Sequence, residues 1–245
     1  MILRKLHRSE RGFTLIELLV ICPILMVVIA YTMNYLFAQY GQLIAQQGIV
    51  NLQVEAQEIT FAMQDDVFFS NAFGNTTNSN LVDTYQPSGG WKADTTPQTL
   101  VVSSPALTAS HRDPNRTFVY INTYGCSPES TLEKNDILYN NEVYFVSGTN
   151  LYKRTLTAPS SLPTCGSNYL SQTCPADHAT SSCPQDNLMT DKISSFTVTY
   201  YDNTNTVVTN PEQATKVKVS IQLHDVVYAQ DIYASSTLTM RRVNQ

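Results

Sequence analysis

The chain has 245 residues, a formal net charge of −5 and only 14% charged residues, with 42% apolar residues crowded toward the front. That length suffices for an anchor segment and one folded domain of ordinary size. The acidity argues against a general nucleic-acid binder, and the Asn, Thr, Ser and Tyr that follow residue 70 suit an exposed, β-rich extracytoplasmic domain better than a cytosolic enzyme.

The first element is a basic leader. In residues 1–12, Arg4, Lys5, Arg8 and Arg11 outnumber Glu10 by three charges, so losing the leader takes the net charge from −5 to −8. It is followed by Phe13–Phe37, 25 residues whose one charge is Glu17. At about 1.5 Å per residue such a helix reaches roughly 38 Å, enough to cross a bilayer. The positive residues in front of it predict a cytoplasmic N-terminus with the rest of the chain outside. The run is longer than the apolar region of a cleaved secretory signal, and Tyr31–Phe37 offers no small-residue cleavage site. A plain signal anchor accounts for the length but not for Glu17, because a carboxylate in an apolar span costs on the order of 2.5–3.5 kcal/mol.

The run Arg11-Gly12-Phe13-Thr14-Leu15-Ile16-Glu17-Leu18-Leu19-Val20 resembles the processing signal of type IV prepilins and pseudopilins. The resemblance implies cleavage by the prepilin peptidase between Gly12 and Phe13, N-methylation of Phe13, and an assembly contact in which Glu17 meets the terminal amine of a neighbouring subunit. It implies an α+β type IV pilin fold, a long N-terminal helix packed on an antiparallel β-sheet head. It further implies other pilin subunits and an inner-membrane assembly platform as partners, membrane lipid before assembly, and final display on a pilus or pseudopilus. Nucleic acid is left only the assembled tip. Pro23 falls earlier than the helix-breaking proline of major pilins. It removes one helical hydrogen bond and predicts a kink. Cys22 beside it reads as an inert membrane thiol.

Beyond the span, residues 38–69 continue the helix. Ala45, Ile49, Leu52, Ala56, Ile59, Met63 and Val67 recur at three- and four-residue steps and form one apolar stripe. Gly41 and Gly48 are points where that helix is expected to bend. Asp65-Asp66 near its end reads as a solvated pair.

Residues 70–245 are the head. Turn residues dominate the loop 70–117, with strands expected at Leu100–Ser103 and Phe118–Thr123. Ile137–Tyr139 and Glu142–Val146 read as a hairpin turning at Asn140-Asn141, and Ser147–Asn150, with Gly148, turns into Leu151–Leu156. The loop 157–190 is rich in Pro, Ser and Cys; sheet resumes at Ile193–Tyr201, Lys216–His224 and Asp231–Met240. The order of these later strands, through Leu151-Tyr152-Lys153-Arg154 to Met240-Arg241-Arg242, resembles the larger minor pilins and J-type minor pseudopilins, subunits of a tip or priming complex. Lys153–Arg154 and Arg241–Arg242 are the candidate basic patches.

Cys126, Cys165, Cys174 and Cys183 in an exported head predict two disulfides, with three connectivities open. Their spacing lacks a C-x-x-C metal pattern, and His111, His178 and His224 lie far apart. No nucleophile elbow, P-loop or dinucleotide fingerprint occurs, so neither catalysis nor a cofactor is expected. Asp202–Asn205 has calcium-ligand residue types but reads as a hairpin turn. The functions in view are a minor pilin, a tip adhesin or DNA-uptake module on a pilin anchor, and a major pilin.

Overall fold

The computed structural model describes residues 14–94, 98–127 and 135–242. Gly12 and Phe13 lie outside the described residues. The chain divides into two compact units, Met1–Gln47 and Gly48–Gln245.

In the first unit, the described residues are helical from Leu15 on, the start of α1 (Leu15–Phe68, 54 residues). The helix is long and apolar enough to cross a membrane. Its Leu, Ile, Val and Met side chains are exposed; Leu15, Ile16, Met26 and Val27 are each at least 70% accessible. Water would oppose such a surface, so its solvent is lipid or protein. The helix passes Pro23 without a break in its assignment.

In the second unit, α1 continues from Gly48 and buries Leu52, Ala56, Ile59, Met63 and Val67. Ile49 leaves the expected stripe and is 41% exposed. Gly48 takes the packed position instead: a Cβ there would lie 2.9 Å from Ile232 Cδ1 and 3.1 Å from Val227 Cγ2. The glycine therefore permits close approach of the hairpin that carries Val227 and Ile232. Polar contacts hold the same face. Gln53 Nε2 donates to the Ser235 carbonyl at 3.1 Å, and Thr190 Oγ1 donates to Glu55 at 2.5 Å.

Two main antiparallel sheets make the head. The first has the order β1 (Ala72–Gly74), β2 (Leu100–Pro105), β4 (Tyr139–Ser147), β5 (Asn150–Leu156), β7 (Asn187–Thr190). The second has the order β11 (Gln230–Arg241), β10 (Lys216–Val227), β8 (Ile193–Tyr201), β9 (Val207–Val208). A small pair joins β3 (Tyr120–Ile121) to β6 (Thr164–Cys165). Period-two alternation explains β10: Val217, Val219, Ile221 and Leu223 are fully buried, while Lys218 and Gln222 face outward. The fold class expected from the sequence, α+β with a long N-terminal helix and an antiparallel head, is what the chain adopts.

Three local expectations are corrected. Asn140-Asn141 is not a turn but part of β4, buried at 0% and 2%. Their amides are satisfied by loops: Asn141 Oδ1 accepts from Asn78 N at 2.7 Å, and Asn140 Oδ1 from Asn168 Nδ2 at 2.8 Å. The hairpin turn between β4 and β5 falls at Gly148, where the sequence also places a turn, and its φ is +63°. Sheet resumes earlier than Ile193, because β7 precedes it and pairs with β5. The strand expected over Phe118–Thr123 shrinks to β3.

Candidate functional site

The chemistry-bearing part of the apolar helix is its N-terminus. Thr14 caps it: Glu17 N donates to Thr14 Oγ1 at 3.4 Å, while the Glu17 carboxylate accepts from Thr14 N at 2.9 Å and Thr14 Oγ1 at 2.8 Å. This is a reciprocal capping box, two free helix N–H groups satisfied by two side chains. The Thr-x-x-Glu spacing is its signal in the sequence, overshadowed there by the charge that Glu17 places in an apolar run. The carboxylate remains exposed at the start of an apolar surface. There it can exchange hydrogen bonds with its own helix for a cation presented from outside.

The four head cysteines pair as Cys126–Cys165 and Cys174–Cys183, with Cα separations of 5.3 and 5.6 Å. The first fastens β6 to the residues after β3; the second closes a short loop ahead of β7. Cys22 is a free, exposed thiol on the apolar helix.

Lys153–Arg154 is not a basic patch. Successive residues of β5 point to opposite faces, and each side chain is neutralised by acids. Arg154 is buried with Asp186 and Asp83, its Nη2 at 2.6 Å from Asp186 Oδ2 and its Nη1 at 3.1 Å from Asp83 Oδ2. Asp83 Oδ2 also accepts from Trp91 Nε1 at 2.7 Å, and Thr173 Oγ1 donates to Asp186 at 2.8 Å. Burial works against the guanidinium charge, but the hydrogen bonds and charges of Asp186 and Asp83 together outweigh it and raise its pKa. Nothing in the sequence spacing of Asp83, Arg154 and Asp186 announces the triad.

On the opposite face, Lys153 lies 2.5 Å from Asp66 and 3.3 Å from Glu142. The expected solvated pair Asp65-Asp66 is thereby divided. Asp65 meets Arg112 at the surface at 2.6 Å, whereas Asp66 turns inward and also accepts from the Tyr144 hydroxyl. Burial first, then the Asp66 charge, pushes Glu142 up to about 7. Burial likewise raises Tyr144 well above the ordinary tyrosine value and lowers His111, whose ring stacks on Phe69 at 4.6 Å. The other described histidines are bystanders. His178 stacks on Tyr85, and His224 lies against Tyr233 with Nε2 at 2.9 Å from Asp231. Asp202 closes its turn by accepting from the Thr204 and Thr206 backbone amides at 2.8 Å each.

Arg242 makes no patch beside Arg241. It is half-buried over the Phe73 ring, and its Nη2 donates to the Ala214 carbonyl at 2.6 Å.

An open cleft of about 630 Å³ lies within the loop 157–190, with Leu138 on one wall. Ser160, Ser167, Asn168, Ser171 and Gln172 face it, and none of its lining residues is charged. Such a lining suits a neutral polar ligand and offers no cation to a phosphate backbone.

No protein-family model matches the sequence. No curated protein matches it either. Among solved structures, a type IV-like pilin from Thermus thermophilus is similar to it, with 8% identity, a TM-score of 0.38, and coverage of 78% of this chain and 96% of that one. The superposition is loose, so the functional reading rests on the residues of this chain.

Proposed function

We propose that the chain is a type IV pilin-like structural subunit, cut between Gly12 and Phe13, methylated on Phe13, and held in a membrane before it joins a filament. The observation that carries this is Glu17, the one carboxylate of the apolar span Phe13–Phe37, set five residues after Gly12 and in reach of the helix N-terminus. A carboxylate in lipid is tolerated when it gains an opposite charge, so pairing with the terminal ammonium of a neighbouring subunit drives it from lipid into a filament. The prepilin peptidase, other pilin subunits and the assembly platform are the partners of this reading. Surface display follows a membrane stage with a cytoplasmic N-terminus. Within the class we favour a minor subunit of an initiation or tip complex, on the strength of the strand order through β5 to β11.

The test is Glu17→Ala in the native host. The variant is expected to insert and to be processed, as read by the mass of its N-terminal peptide, yet to be missing from sheared filaments. Normal incorporation overturns the assembly role. Retention of residues 1–12 in the wild-type protein overturns the whole reading. The share of this chain in sheared filaments separates minor from major: a major subunit dominates the preparation.

The neutral cleft supports a second reading, an adhesive tip module on the same anchor. Filling it with Ser167→Trp would abolish surface attachment while leaving filaments in place; unchanged attachment removes that reading.

A further inference from the structure

The Lys153, Asp66 and Glu142 cluster joins the end of α1 to the central strands β4 and β5 across a long stretch of chain. We propose that Lys153 and Asp66 condense to an intramolecular isopeptide bond, with Glu142 as the base that makes the amine reactive.

The reacting groups are already in contact. Lys153 Nζ sits 2.5 Å from Asp66 Oδ2, with both side chains 20% exposed. Holding an amine and a carboxyl in contact makes their reaction intramolecular and lowers the entropic part of its barrier. Tyr144 donates its hydroxyl to the same Asp66 oxygen, so a donor is in place for charge that develops there. Glu142 is 6% exposed, with Oε1 at 3.3 Å from Nζ; its Oε2 is buried with no hydrogen-bond partner among the described residues. That orphan oxygen is left unexplained by a plain ion pair. The cluster also carries one cation against two carboxylates, so a proton shared onto Glu142 relieves a buried negative charge.

The step balances without a co-reactant. The ammonium passes one proton to Glu142, whose buried carboxyl holds a proton up to about 7. The two acids keep Lys153 protonated at rest, its pKa raised despite burial, so the free amine is the minor, reactive form. Its lone pair forms the N–C bond to Asp66 Cγ. A second proton moves from nitrogen to one Asp66 oxygen, and Glu142 returns its own proton to that oxygen. The C–O bond breaks, and one water leaves through the exposed edge. Glu142 ends as the carboxylate it began as, and one ammonium and one carboxylate have become one amide and one water.

The bond needs nothing from the assembly reading and is tested on the purified full chain by intact mass after reduction of the disulfides. Whatever the state of its N-terminus, the wild-type chain is expected to fall short of its sequence mass by one water. Lys153→Arg, Asp66→Ala and Glu142→Gln are expected at full mass, and a branched peptide containing Asp66 and Lys153 locates the link in the wild type. A wild-type chain at full mass overturns the proposal, as does a water deficit that survives in Lys153→Arg. Because the wild type is itself decisive, a variant that fails to fold does not blunt the test.

Discussion

Arg154 grips Asp186 with two nitrogens, Nε at 3.1 Å from both carboxylate oxygens and Nη2 at 2.6 Å from Oδ2. The pair ties β5 to the segment just before β7 and lies beneath Trp91, whose ring is 5.3 Å from the guanidinium carbon. Both partners are buried, so removing Asp186 leaves the guanidinium with Asp83 alone, and removing Arg154 leaves two buried acids without their cation. Asp186→Ala is expected to lower the stability of the head by about 3–5 kcal/mol. Arg154→Met, which leaves Asp83 and Asp186 facing each other, should be at least as damaging. Denaturant unfolding of the two variants measures this.

Glu142 makes stability depend on pH in an unusual direction. Its folded pKa, about 7, lies above the ordinary value of 4.5. The folded state therefore binds the proton more tightly, and this stabilising contribution is complete below about 4.5 and lost as pH rises through 7. The Glu142 charge in turn helps to raise Tyr144 and Tyr169, after burial in both cases. Exposed Asp202 and Asp225, whose values are lowered, act in a more acidic window. Melting temperatures at pH 5 and pH 8 should differ in the wild type and converge in Glu142→Gln. Equal slopes in both proteins would remove Glu142 as the source.

The two disulfides should contribute unequally. Cys126–Cys165 spans 39 residues and Cys174–Cys183 spans 9. Loop-closure entropy assigns them about 3.9 and about 2.6 kcal/mol. Paired Cys→Ser variants, compared by thermal melting, should therefore rank with loss of the longer loop as the more harmful.

The β10–β11 hairpin turns at Tyr228-Ala229, both left-handed with φ of 55° and 59°. A residue with a Cβ is strained there by roughly 1–2 kcal/mol. Glycine avoids that strain at an entropic cost of about 0.5–1 kcal/mol. The strain is the larger effect, so Ala229→Gly is expected to stabilise the head slightly, and Asn-Gly at both positions by more. Urea midpoints check the sign.

Much of this fold was legible because it rests on periodicity. Leu52, Ala56, Ile59, Met63 and Val67 gave the packed helix face, and Val217 to Leu223 gave β10. Asn140-Asn141 misled because asparagine favours turns, whereas here distant loops consume its amides. The Tyr228-Ala229 turn was hidden for the opposite reason, since neither residue advertises positive φ. At the candidate sites, Glu17 stood out as a charge in an apolar run and the cysteines by their number. The acids around Lys153 and Arg154 did not, because the contacts of Asp66, Asp83 and Asp186 arise only from tertiary packing.

Gly48 fixes where the helix rests along the hairpin. The space beside Val227 and Ile232 admits a backbone with no side chain. A side chain in that notch, such as Ile44 or Leu52 after a slip of one turn of about 5.4 Å, would make Ile232 Cδ1 and Val227 Cγ2 give way. The residue with the least substance in the helix is thus the one that lets the hairpin lie closest to the helix backbone.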